Sequence, residues 1–182
     1  YGNKFYAIAK QAKDKSASVT GGRITICNGT TMGIVNQIEN IDAAKGADGR
    51  SFLGVDEHKA YVSTSNGIYV LDLNTEKITG EVTMDGNSIV GECGNMVRKD
   101  DRVYAVSFSK GICVINPETN EVENVISGSF GSIVMSKDGN LWVSLFQDRA
   151  YAGLAKLNLE EEKVEKLSLP EGIGNPICTY VW

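Results

Sequence analysis

The apolar and polar positions of this chain fall into short alternating runs that recur. Lys59 to Met84, Arg102 to Ser127 and Asn140 to Pro170 each read as strand, turn, strand, turn, strand. Period-2 alternation over such short runs predicts half-buried β-strands. Within the runs Tyr6, Tyr61, Tyr104 and Trp142 hold one equivalent place, in FYAI, AYVS, VYAV and LWVS, so a large ring recurs at a fixed position. Ahead of the last three lie polar hairpin turns, Asp56 to Lys59, Lys99 to Arg102 and Lys137 to Asn140. Before each turn comes another apolar run: Ser51 to Val55, Met96 to Arg98 and Ile133 to Ser136. A later turn, at Asn74-Thr75-Glu76, Pro117 to Asn120 and Asn158 to Glu162, carries residues that bond their own backbone or preset φ.

Four antiparallel strands per unit, at a spacing of roughly 40 residues, predict a radial repeat of small sheets. The expected fold is all-β, a β-propeller with about four blades of four antiparallel strands, forming part of a larger ring or a dimeric ring. The blades fall at residues 1–41 together with 174–182, 50–84, 94–127 and 131–170. The first blade opens directly on a second strand, Lys4 to Lys10, followed by Arg23 to Cys27 and Gly33 to Glu39. Gly174 to Trp182 reads as an innermost strand with nothing after it. Three arrangements therefore stay open: the terminal strand completes the first blade of a four-blade ring, the chain is a segment of a larger ring, or two chains join head to tail as a homodimer.

Composition changes this picture only at the edges. Twenty glycines against three prolines in 182 residues fit turn-dense antiparallel sheet. No run has the unbroken apolar length of a membrane-spanning helix, and no signal peptide is read at Tyr1, as in a mature or trimmed form. A net charge of −5 with scattered lysines argues against nucleic acid as a partner, because phosphate contact relies on clustered Lys and Arg. Lys4, Lys10, Lys13 and Lys15 come nearest to a cluster, but Asp14 interrupts them. Gln11 to Gly21 reads as a loop much longer than its counterparts, and long loops on a repetitive scaffold tend to carry binding.

Catalytic and metal chemistry find little purchase. With one histidine, His58, in a charged turn, and cysteines Cys27, Cys93, Cys113 and Cys178 without CxxC spacing, no zinc motif can be assembled. Cys27 and Cys113 lie in alternating strands and are expected to be buried structural thiols; Cys93 sits in a glycine-flanked loop, and a bridge to Cys178 has no sequence rule behind it. Nucleophile elbow, phosphate loop and dinucleotide fingerprint are all missing. No cofactor and no enzymatic activity are expected; a propeller enzyme of the lactonase, lyase or quinoprotein type is the alternative.

One constellation survives. At the start of each innermost strand a glycine precedes a polar residue: Gly49-Arg50, Gly94-Asn95, Gly131-Ser132 and Gly174-Asn175. The glycines are expected to supply backbone freedom where the chain turns in from the rim. In propellers these strands line the central channel, so Arg50, Asn95, Ser132 and Asn175 are expected to bind ligand at one channel mouth. Arg50 is the anchor, since its planar fork suits carboxylate or phosphate. On this reading Arg50→Ala and Asn95→Ala weaken binding and leave melting nearly unchanged.

The phrases GRSFLGVDEHKAYVSTSNGIYVLDLNT, CGNMVRKDDRVYAV and SKDGNLWVS resemble the YVTN-type propellers of Bacteroidota cell-surface lipoproteins, a domain of unknown function. The resemblance implies a seven-bladed relative at the cell surface or in the periplasm, associated with the outer membrane. The expected function is a non-catalytic surface module that holds a small molecule, glycan or protein partner on the channel-mouth face, and the resemblance adds a corrinoid and an outer-membrane transporter as partners of related propellers. Four blades and no lipobox cysteine depart from that pattern and favour a fragment of a longer ring.

Overall fold

The computed structural model describes residues 2–12, 19–41, 49–89, 93–147 and 150–168. The chain divides into two compact units, Tyr1–Cys93 and Gly94–Trp182. Every regular element among the described residues is a β-strand. In the first unit, β1 (Lys4–Ala12), β2 (Val19–Asn28) and β3 (Ile34–Ile41) form one antiparallel sheet. The next four, β4 (Gly49–Gly54), β5 (Lys59–Thr64), β6 (Ile68–Asp72) and β7 (Lys77–Glu81), form a second, and β8 (Thr83–Met84) pairs with β9 (Asn87–Ser88). In the second unit, β10 (Cys93–Lys99), β11 (Arg102–Ser107), β12 (Gly111–Asn116) and β13 (Glu121–Ile126) form the third sheet. The fourth is β14 (Phe130–Met135), β15 (Leu141–Gln147), β16 (Ala150–Asn158) and β17 (Lys163–Lys166). Within β1–β3, β4–β7, β10–β13 and β14–β17 strand order follows chain order, as in a propeller blade.

Three blades thus show the expected four strands, and the first shows three. β1 stands in the second-strand place: it packs against β4 as β11 packs against β14. The innermost strand expected at 174–182 lies outside the described residues.

The repeated ring position holds. Tyr6, Tyr61, Tyr104 and Trp142 pair across their strands with Ile26, Val70, Val114 and Lys156. Tyr6 stacks on Phe52 of the second sheet with centroids 4.9 Å apart. Around it Ile24, Ile26 and Ile41 of the first sheet bury against Ala60, Val62 and Leu71 of the second. In the second unit, Tyr104, Val106 and Ile112 bury against Leu141, Val143 and Leu157. Within each unit, one face of its first sheet therefore packs against its second to form the core.

The outer turns repeat to the residue. Asn28, Asp72, Asn116 and Asn158 each accept the N–H two residues on, and at Asn28, Asp72 and Asn158 also the N–H three residues on. In the second sheet the residue that does this is Asp72, not the Asn74 expected from sequence, because the strand ends one turn earlier. Four residues after each of these comes a left-handed residue: Met32, Glu76, Asn120 and Glu162, with φ between 52° and 59°.

Three expectations are corrected. Gln11 to Gly21 is not loop throughout: Gln11 and Ala12 continue β1 and Val19 to Gly21 begin β2, while 13–18 lie outside the described residues. Lys13 and Lys15 fall outside the described residues. Cys93 opens β10 and is buried rather than lying in a loop, whereas Cys27 is only half-buried, because it sits on the face of the first sheet opposite Tyr6. Cys113 is buried as expected, and burial pushes its thiol up to about 11.

Candidate functional site

The four residues expected at a channel mouth meet different fates. Arg50 is exposed on β4, and Asn175 lies outside the described residues. Arg50 belongs to the first unit; Asn95 and Ser132 belong to the second. The Asn95 amide is engaged at both ends: its Oδ1 accepts the Ile133 N–H at 3.0 Å, and its Nδ2 donates to the Ile133 carbonyl. It reads one residue of β14 as a neighbouring strand would. β14 is an edge strand, and its inward peptide groups need a partner. The Ser132 hydroxyl lies 2.8 Å from that of Ser144 on β15. Asn95 thereby joins the third sheet to the fourth, and Ser132 links two strands within the fourth.

For the glycines beside them, positive φ is not the cause at three positions. Gly49, Gly94 and Gly131 are outside the left-handed region. At Gly49 the reason is close approach: a Cβ there would meet Ile8 Cγ1 at 2.5 Å and the Ala9 carbonyl at 3.2 Å. The start of β4 lies directly on β1.

A second region was not read from sequence. An open groove of about 590 Å³ runs along the outer rim of the first unit, between β3 and the β6–β7 edge. Its floor is apolar, formed by Ile38, Ile41, Ile78 and the Tyr69 ring. Asn36, Gln37, Glu39, Glu76 and Lys77 line its polar rim. Glu76 anchors the inner wall: it accepts Lys4 Nζ at 2.5 Å and Asn36 Nδ2 at 2.6 Å. The Lys4 hydrogen bond holds the Glu76 carboxyl below its usual range against the opposing effect of burial, and Glu76 in turn raises Lys4. Glu39 pairs with Arg23 at 3.0 Å, and exposed Gln37 donates its Nε2 to Thr25 Oγ1 at 3.4 Å.

The second unit repeats the rim feature. A groove of about 440 Å³ lies between Val125, Ile126 and Ser127 of one outer edge and Glu162, Lys163 and Val164 of the next. Glu162 takes the place of Glu76. Its charge reaches Tyr104, whose hydroxyl is pushed up mainly by burial, while Arg102 opposes the shift. The sequence signal was present in Glu76-Lys77-Ile78 and Glu162-Lys163-Val164, but a charged turn reads as merely solvated until the adjacent sheet is placed beside it.

Remaining candidates are quieter. His58 is exposed, with Nδ1 3.1 Å from Asn74 Nδ2. Among the described residues no group of three His, Cys, Asp or Glu side chains could hold a metal, and no helix is long and apolar enough to cross a membrane. The latter says nothing of a β-barrel.

A family model described as a domain of unknown function, DUF5074, matches residues 1–182. The chain belongs to the DUF5074 family. No curated protein sequence matches it. Among solved structures, it is similar to the extracellular domain of a B. thetaiotaomicron protein assigned as a hybrid two component system, BT3049, with a TM-score of 0.61 and 19% identity, covering 90% of this chain and 23% of that one. The extracellular domain of BT4673 from the same organism, assigned as a one component system, gives 0.62 and 17%, covering 90% and 24%. The WD40 β-propeller domain of Doa1 gives 0.56 and 12%, covering 78% and 43%. At these identities the likeness shows the fold, that of propeller blades. This DUF5074 chain spans about a quarter of the length of the two Bacteroides domains.

Proposed function

We propose that this DUF5074 chain is a non-catalytic extracellular binding module, and that its rim groove in the first unit holds a small hydroxyl-rich molecule or glycan. The observation that carries this reading is the groove itself, whose volume of about 590 Å³ falls within the range of small-molecule sites. Its amides and carboxylates match the paired donors and acceptors of neighbouring hydroxyls, while the isoleucine and Tyr69 floor packs against C–H faces. The extracellular setting of the two Bacteroides neighbours supports a surface location. We extend this to a YVTN-type propeller of a surface lipoprotein, with Arg50 at the channel mouth as the second surface to test.

The test is a thermal-shift and calorimetric screen of the chain against mono- and oligosaccharides, with a corrinoid included. A saccharide hit lost in Gln37→Ala or Lys77→Ala and kept in Arg50→Ala supports the groove. A hit lost only in Arg50→Ala moves the site to the channel mouth. Turnover of any compound in the panel would overturn the non-catalytic reading.

A further inference from the structure

The polar groups around the rim groove of the first unit differ in how far the chain itself already engages them. Both Glu76 oxygens are taken, Oε1 by Lys4 Nζ at 2.5 Å and Oε2 by Asn36 Nδ2 at 2.6 Å. The Asn36 amide is engaged at its other end too, since its Oδ1 accepts the Gln37 N–H at 2.8 Å. Gln37 reaches Thr25, and Glu39 is neutralised by Arg23 at 3.0 Å. Each carboxylate on the groove thus has a cation of the chain beside it, and neither has a full charge to offer a ligand.

Lys77 is the exception. It lines the groove with Ile78 and the Tyr69 ring, is exposed, and its ammonium has no hydrogen bond or ion pair among the described residues. Asp72 stands opposite it in register, but that carboxylate turns to the Asn74 and Thr75 N–H groups. With Glu76 balanced by Lys4 and Glu39 by Arg23, Lys77 leaves the groove one positive charge in excess, on a chain whose net charge is −5. We propose that the saccharide held in the rim groove is acidic, a sugar whose carboxylate meets Lys77 while its C–H face lies on Tyr69 and the isoleucines. This rests on the reading of the groove as a saccharide site and adds the charge of its ligand. An ammonium is a compact point charge with three donors, so it suits a single carboxylate on a sugar ring without demanding a fixed fork geometry.

Calorimetric titration of the chain with trigalacturonic acid and with its methyl ester separates charge from shape, because the two share one skeleton. The acid is expected to bind about fivefold tighter than the ester at low salt, the scale of one exposed ion pair, and the preference to fade as salt rises to about 0.5 M. Lys77→Gln is expected to make acid and ester equal and Lys77→Glu to reverse them, both with the parent's melting temperature, because the side chain is exposed. The comparison of acid with ester on the parent stands without either variant. Equal binding of the two by the parent would overturn the acidic class and leave the groove reading intact. An acid preference that survives Lys77→Gln and is lost in Arg50→Ala would overturn it in favour of the channel mouth. Binding of neither compound overturns it as well, and a neutral saccharide that still binds through Gln37 then shows that the groove reading has not fallen with it.

Discussion

Asn95 gives the sharpest test of how these sheets are joined, because its amide both accepts from and donates to the backbone of one residue, Ile133. Asn95→Ala removes both and strands a backbone N–H and a carbonyl at a residue whose side chain is fully buried. Each orphaned group costs about 1–3 kcal/mol, less where water can reach it, so a net loss of about 2–4 kcal/mol is expected. At about 2–4 °C per kcal/mol for a chain of this size, the melting temperature falls by about 4–16 °C. Asn95→Asp separates the two bonds. Its carboxylate still accepts from the Ile133 N–H but sets an oxygen against the Ile133 carbonyl, so at neutral pH it destabilises as well. A protonated carboxyl restores the donor, so the folded pKa of this aspartate lies above its unfolded value of about 3.9. The restored stability is full below that value and is lost as pH rises through the folded pKa. Urea denaturation of the three proteins at pH 4 and pH 7 measures all of this. An Asn95→Ala variant within about 0.5 kcal/mol of the parent would refute the clasp and return Asn95 to the pool of ligand-binding residues.

Three further outcomes follow from the geometry. Glu76→Gln removes the ion pair with Lys4, which is 35% exposed, so screening limits the cost to about 1 kcal/mol. Because the folded Glu76 pKa is depressed below 4.5, its contribution is present above that value and disappears as pH falls through the folded pKa; acid denaturation curves of parent and variant should converge there. The Cys113 thiol, raised from 9.0 to about 11, holds stability that is full below pH 9 and lost as pH rises through 11, so Cys113→Val should flatten the fall in melting temperature over that window. Gly49→Ala forces a methyl into Ile8 and should cost about 1–3 kcal/mol by equilibrium denaturation, whereas Gly80→Ala, with open space beside it, should cost little.

The alternation of residues determined a great deal by itself. It placed the strands, counted the blades and put Tyr6, Tyr61, Tyr104 and Trp142 in one position, because side-chain period and turn chemistry are local properties of the chain. It could not say what a polar residue at the head of a strand would touch. Asn95 and Arg50 look alike in sequence, each following a glycine, yet one closes on Ile133 and the other is exposed. The Gly49 requirement, the Lys4–Glu76–Asn36 cluster and the rim groove likewise arise between residues far apart in sequence, on different sheets.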